Sequence, residues 1–145
     1  SYEGLSWFTG ASVMHGGLPP ALTLFVLLLY SIGAHGIMTL NDFKAVKGDA
    51  ATGLRSLPVV MGVRNAALFA CAVMALAQLA IVALLLASNL VLSGAIVGLF
   101  LGVQIALMVR LVQNPARLAP WYNATGVSLY VFGMLAAALG LGGYI

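Results

Sequence analysis

The side chains best suited to chemistry lie in one short segment, NDFKAVKGD, which begins at Asn41. Asn41, Asp42 and Asp49 carry hard oxygen ligands of the kind that Mg²⁺ prefers, and Mg²⁺ usually joins one or two carboxylates to phosphate oxygens. Lys44 and Lys47 could bind such a phosphate group directly. The segment could therefore hold magnesium and a diphosphate. Two aspartates seven residues apart are equally compatible with an ordinary solvated loop, so spacing alone leaves both interpretations open.

The chain around this segment is almost entirely apolar. Of its 145 residues, 63% are hydrophobic and 6% are charged, and the mean hydropathy is +1.11. Soluble domains have about 25% charged residues, so this chain cannot form a water-soluble surface. Apolar runs of roughly 20 residues are long enough to cross the hydrocarbon layer of a bilayer as helices. The sequence therefore predicts an integral membrane protein.

Four apolar runs predict an all-α fold with four full transmembrane helices, preceded by a partial helix that is too short and too polar to cross alone. The chain is expected to form one transmembrane domain over residues 1–145. The connection after the first span is longer than antiparallel helices need, which is typical of a functional loop. The predicted partial helix covers about 1–17, the spans cover about 19–41, 66–88, 90–110 and 123–144, and the motif loop covers 41–65.

Charge predicts the orientation of these spans. The turn SNLVLSG between the second and third spans has no charge, whereas the loops on the opposite side hold every basic residue. The positive-inside rule places such loops in the cytoplasm. The net charge of +3 is then a topology signal, and no nucleic-acid partner is expected, because the chain lacks a basic patch interleaved with exposed aromatic residues. The basic residues are Lys44, Lys47, Arg55, Arg64, Arg110 and Arg117.

Polar residues recur along the first span. Ser31, His35, Thr39 and Asp42 are spaced at i, i+4, i+8 and i+11, which stacks them on one helical face. Lipid cannot satisfy a polar stripe, so this face should line a wet or protein-lined cavity. His35 taken alone is explained at least as well by packing, whereas the stripe that ends in an aspartate favours a site.

Glycines recur on the third span. Gly94, Gly98 and Gly102 repeat every four residues, a pattern that lets helix backbones approach closely in lipid. We expect this ridge to pack against another helix, and a groove for a lipid-like chain is the alternative. Cys71 is the only cysteine and is expected to act as a small buried hydrophobic residue.

A family resemblance adds to this interpretation. The stretch GAHGIMTLNDFKAVKGDAATGLRSLPVVMG closely resembles the second aspartate-rich region of the UbiA-type membrane prenyltransferases, in the branch that contains the chlorophyll and bacteriochlorophyll synthases. YEGLSWFTGA near the start and APWYNATGVSLYVFGM near the end resemble the same branch, most closely its bacteriochlorophyll synthases. The resemblance covers essentially the whole chain. It implies the C-terminal half of a nine-helix bundle whose central cavity opens to the cytoplasmic side.

The resemblance also implies an activity. Such a prenyltransferase esterifies the propionate of a chlorophyllide or bacteriochlorophyllide with a geranylgeranyl or phytyl group from its diphosphate, in (bacterio)chlorophyll biosynthesis for photosynthesis. The implied cofactor is Mg²⁺, bound by Asn41, Asp42 and Asp49, and the two aspartates are the implied catalytic residues. The residues implied to bind substrate or diphosphate are Asn41, Lys44, Lys47, Arg55, Ser56 and His35.

The sequence departs from the family pattern in two ways. Lys47 stands where an acidic residue is typical and Ala50 where arginine is usual. The first aspartate-rich motif of the family is absent from the 145 residues, so the chain alone is expected to be incomplete and inactive. The expected location is a bacterial inner, intracytoplasmic photosynthetic membrane, with membrane lipids as partners. The alternative is a truncated, non-catalytic relative that serves photosynthetic pigment–protein complexes as a structural or pigment- or lipid-binding subunit.

Overall fold

The computed structural model describes residues 2–145, and its side chains are described from Gly4 onward. Every element in this part of the chain is helical, with seven α-helices and one 3-10 turn. Four helical segments are long and apolar enough to cross a membrane. The predicted all-α membrane fold is thereby confirmed. The elements are α1 (Tyr2–His15), α2 (Ala21–Asn41), the 3-10 turn (Asp42–Lys44), α3 (Val46–Thr52), α4 (Leu57–Met61), α5 (Val63–Ala87), α6 (Val91–Gln113) and α7 (Pro115–Leu141).

Proline and glycine set several of these boundaries. Pro20 precedes α2 in an extended conformation, and Gly62, with φ of 80°, separates α4 from α5. The last helix begins at Pro115 rather than near residue 123, where the apolar run starts. Proline suits the first turn of a helix because its missing N–H would have no partner there. The more polar residues that follow Pro115 therefore extend the helix beyond the apolar run.

Helix α2 lies at the centre of the packing, against α1, α5 and α7. A Cβ atom on Gly36 would lie 2.5 Å from the backbone carbonyl oxygen of Ala70 in α5, so the two backbones approach closely there. The Tyr130 hydroxyl of α7 donates a hydrogen bond to the Tyr30 carbonyl of α2 over 2.9 Å. The Tyr30 ring also meets the Trp7 ring of α1 edge-on, with centroids 5.7 Å apart. These contacts hold α2 in a fixed position among its neighbours.

The predicted glycine ridge on α6 meets α5 at two of its three positions. Gly94 does lie against Leu86, near the turn into α6. A Cβ on Gly98 would lie no nearer than 3.9 Å to Val82, and a Cβ on Gly102 would meet nothing within 4 Å. The packing prediction therefore holds for Gly94 and, at van der Waals distance, for Gly98, whereas it stays a prediction for Gly102, which faces no described helix.

The segment between α2 and α5 has an ordered path. The 3-10 turn continues α2, and α3 then ends at Gly53, whose φ of 74° is the left-handed conformation that glycine adopts without strain. The Leu54 N–H donates to the Asp49 carbonyl over 2.9 Å and closes this end. Ser56 then precedes α4 in an extended conformation. The charged residues of the motif are thus carried on short helices, and their backbone positions are fixed.

Candidate functional site

The polar stripe on α2 is held by hydrogen bonds within the helix. The Ser31 hydroxyl donates to the Leu27 carbonyl over 2.9 Å, and the Thr39 hydroxyl donates to the His35 carbonyl over 2.8 Å. The Nδ1 atom of His35 lies 3.0 Å from the Ser31 carbonyl oxygen. A carbonyl oxygen can only accept, so Nδ1 carries the proton, and the Nε2 of the neutral ring is left as an acceptor.

Three members of the stripe line one cavity. His35, Thr39 and Asp42 lie along a cavity of about 510 Å³, which falls within the usual range for ligand sites, about 300–1,000 Å³. Ser31 is not among its lining residues and instead lies against Gly4 of α1. The other walls of the cavity are apolar, formed by Ile32, Met38, Leu57, Phe69 and Val73.

The two aspartates of the motif interact. Asp42 and Asp49 are both partly buried, and the negative charge of Asp49 acts on the Asp42 carboxyl group. Like charges in a partly desolvated position repel each other, so a cation between or beside them would relieve the repulsion. The joint role of these two residues, which the sequence proposes as catalytic, stays a prediction.

Asn41 is directed to a different partner. Its Oδ1 accepts a hydrogen bond of 2.9 Å from the Nδ2 of Asn123 in α7. Lys44 also lies on this side, in a recess of about 40 Å³ that Phe43 and Asn123 help to form. The end of α2 thus presents Asp42 to the large cavity, whereas Asn41 and Lys44 face α7.

The remaining predicted residues lie on the ordered segment after α2. Lys47 on α3 and Arg55 before α4 are both exposed and so are accessible to an anion. Ser56 precedes α4, its carbonyl accepts hydrogen bonds from the N–H groups of Val59 and Val60, both over 3.0 Å, and its buried hydroxyl oxygen has no partner among the described residues. Among the described residues, no hydrogen bond or ion pair joins Lys47, Arg55 or Ser56 to Asp42 or Asp49.

Asp42 and Asp49 could hold magnesium only together with a further ligand. Within residues 4–145, no group of three or more His, Cys, Asp or Glu side chains could hold a metal ion by itself. Asp42 and Asp49 supply two interacting carboxylates, and Mg²⁺ characteristically binds one or two carboxylates together with substrate phosphates and waters. The residues present therefore suit a magnesium ion whose remaining ligands come from a diphosphate.

Asn123 and the cavity walls were not predicted from the sequence. Asn123 was assigned only to the start of the fourth span, yet it holds the Asn41 side chain across 82 residues of sequence. Leu57 and Phe69 complete the apolar wall opposite the α2 stripe. A polar residue within a membrane helix is a signal for Asn123, but no sequence signal connects it to Asn41.

Comparison with known proteins adds a second line of evidence. Residues 4–125 match the UbiA prenyltransferase family. The chain is 50% identical over 142 residues to the bacteriochlorophyll synthase 33 kDa chain of Cereibacter sphaeroides, covering 98% of this chain and 47% of that protein. It is 41% identical to the bacteriochlorophyll synthase 34 kDa chain of Chloroflexus aurantiacus over 143 residues, covering 97% and 45%. It is 34% identical to the chloroplastic chlorophyll synthase of Avena sativa over 140 residues, covering 96% and 36%.

The match extends along almost the whole of this chain, which spans about half the length or less of these curated relatives. No solved structure matches the chain. The resemblance to the chlorophyll and bacteriochlorophyll synthase branch is confirmed, and the helices of the structure are those of an integral membrane protein. The chain belongs to the UbiA prenyltransferase family.

Proposed function

We propose that the protein transfers a geranylgeranyl or phytyl group from its diphosphate to the propionate of a bacteriochlorophyllide-type macrocycle. The observation that carries this proposal is the position of Asp42, which lies at the charged end of α2 and also lines the apolar cavity. A diphosphate bound at Asp42 would be exposed to water on one side, and its hydrocarbon chain could enter the cavity or the surrounding lipid. The names of the relatives support the choice of macrocycle.

Each group of residues has a separate task in this reaction. Asp42 and Asp49 would bind Mg²⁺, which when present neutralises the negative charge that builds on the diphosphate as the carbon–oxygen bond breaks. Lys47 and Arg55 are exposed on the adjacent segment and would bind phosphate oxygens and stabilise the same developing charge. Asn123 positions Asn41 at the end of α2. A carboxylate oxygen of the macrocycle forms the new bond to the allylic carbon, and diphosphate is released.

The apolar cavity wall also contributes. Ile32, Phe69 and Val73 line the cavity beside Asp42 and would keep water from a cation-like allylic carbon, which protects it from hydrolysis. The cytoplasmic end of the membrane is the proposed site of the reaction, because every Lys and Arg residue lies at the same end of the four spans as Asp42. The proposed location is a bacterial inner membrane.

The proposal is tested by removing one negative charge at a time. In the native protein, purified whole from its membrane, Asp42→Asn and Asp49→Asn should each lower the rate of prenyl transfer by about 100-fold or more, as expected for loss of a group that stabilises developing charge. Binding of Mg²⁺-diphosphate should weaken in both variants, and the amount of membrane-inserted protein should not change.

The matched control is Arg117→Gln, which removes an exposed charge at the same end of the spans but outside the site. It should leave prenyl transfer close to the native rate. Undiminished turnover in both aspartate variants would contradict the proposed role of the pair. An equal loss of rate in the Arg117 variant would show that the assay reports the overall charge of this surface.

A further inference from the structure

We propose that His35 binds the acceptor through its central metal, with Nε2 as the axial ligand of the Mg²⁺ held in the macrocycle. The inference rests on the proposed function, because it requires a metal-containing macrocycle as the substrate. It assigns the cavity beside Asp42 to the acceptor and gives His35 a role separate from diphosphate binding.

The hydrogen bond of the His35 ring prepares Nε2 for this role. Nδ1–H is directed to the Ser31 carbonyl over 3.0 Å, and metal-binding histidines characteristically donate their other ring N–H to a carbonyl or carboxylate in this way. The bond fixes both the tautomer and the orientation of the ring. In the neutral ring, Nε2 then carries a lone pair and no proton, so this form can bind a metal without releasing a proton.

The surroundings of His35 fit a flat apolar ligand. Among the described residues that line the cavity, His35 supplies the only ring nitrogen, and Ile32, Met38 and Phe69 supply apolar surface. The four nitrogens of a chlorin-type macrocycle leave an axial position of the central Mg²⁺ open. An imidazole nitrogen can occupy that position while the apolar side chains contact the ring faces and edges.

The spacing along α2 fits the geometry of the reaction. His35 and Asp42 are seven residues apart and line the same cavity, which places them roughly 10 Å apart along the helix axis. This distance leaves room for the propionate arm of the macrocycle to extend from the ring centre towards a prenyl diphosphate bound at Asp42. Coordination by His35 would therefore set the position of the nucleophilic carboxylate as well as hold the macrocycle.

The test compares a magnesium-containing macrocycle with the same macrocycle lacking its metal. In the native protein, the magnesium-containing form should bind more tightly. His35→Phe should weaken its binding by at least roughly 10- to 100-fold, the loss typical even of outer-shell partners of a metal, and should leave the affinity for the metal-free form unchanged. Absorption and resonance Raman bands that report the coordination number of the central Mg²⁺ should show loss of the axial nitrogen in the variant.

Two further measurements guard against a folding defect. In His35→Ala, added free imidazole should restore the axial-ligand bands, which requires an intact cavity. His15→Phe replaces the only other histidine of the chain, exposed at the far end of α1, and should leave the bands unchanged. The proposal is overturned if His35→Phe retains the native preference for the metal-containing form and the native coordination bands.

That outcome would leave the proposed function standing, provided that the same preparation transfers prenyl groups and loses this activity in Asp42→Asn. If the native protein neither binds the macrocycle nor transfers a prenyl group, both the proposed function and the role of His35 are refuted. Separate measurements of binding, coordination and turnover thus distinguish the two failures.

Discussion

At the scale of single residues, the two aspartates of the motif repel each other. The charge of Asp49 acts on Asp42, and both side chains are partly buried. Without Mg²⁺, Asp49→Asn should therefore leave the protein as stable as the native form or more stable, because it removes the repulsion. Added Mg²⁺ should raise the thermal unfolding temperature of the native protein more than that of the variant. An equal response of both proteins to Mg²⁺ would contradict binding at this pair.

The hydrogen bond between Asn41 and Asn123 should contribute to the stability of the fold. Asn123→Ala removes a bond of 2.9 Å that ties the end of α2 to α7, and it should lower the free energy of unfolding by about 0.5–1.5 kcal/mol. Asn65→Ala is the matched control, because the exposed Asn65 bonds only to the local Met61 carbonyl. Denaturation in detergent would measure both variants, and equal stability losses would argue against a specific role of the bond between α2 and α7.

The sequence predicted these site residues to different degrees. Charge in an apolar chain and family resemblance both point to Asp42 and Asp49, and the charge of Asp49 acts on the Asp42 carboxyl group. Lys44 was assigned to the same set, yet it lies in the recess beside Asn123. Residues that are adjacent in sequence at the end of a helix direct their side chains to different sides. A motif therefore gives the residue types of a site but not the direction of each side chain.

At the scale of helices, close approach depends on which glycines face a neighbour. Gly36→Ala would place a methyl group 2.5 Å from the Ala70 carbonyl oxygen and 2.7 Å from Met74. A backbone carbonyl cannot move without shifting its helix, so we expect a stability loss of about 1–3 kcal/mol. Gly102→Ala meets nothing within 4 Å and should be neutral or stabilising by about 0.5–1 kcal/mol. Thermal unfolding of the two variants checks this difference, and a larger loss in Gly102→Ala would contradict the packing described for α2 and α5.

The sequence predicts the helices better than it predicts the contacts between them. Apolar length is a local property, so four membrane-spanning helices follow from it directly. A four-residue glycine repeat shows only that one helix has a flat face. Gly102 belongs to such a repeat but faces no described helix, whereas Gly33 and Gly36 contact α7 and α5 without forming one. Which face meets a neighbour depends on how the helices are arranged around it.

At the scale of the whole molecule, the four spans alternate in direction, and the Lys and Arg residues lie at one end of them. The ends of α2 and α6 and the starts of α5 and α7 share one side, which carries every Lys and Arg residue of the chain. Arg110 and Trp121 form a cation–π contact of 4.7 Å on this side, and such an aromatic residue is suited to the membrane interface. The cavity of Asp42 and His35 therefore opens near the basic side of the bundle.

The orientation of the bundle in its membrane can be measured by labelling single cysteines at its two ends. Lys47 and Ser88 are both exposed and lie at opposite ends of the spans. The native Cys71 is buried, with only 8% of its surface exposed. In intact cells, a membrane-impermeant maleimide should label Ser88→Cys but not Lys47→Cys, because the positive-inside rule places the basic end in the cytoplasm. Permeabilised cells should allow labelling of Lys47→Cys as well, and the native Cys71 should remain unlabelled in both preparations. Labelling of Lys47→Cys in intact cells would reverse the orientation and place the aspartate pair away from a cytoplasmic supply of prenyl diphosphate.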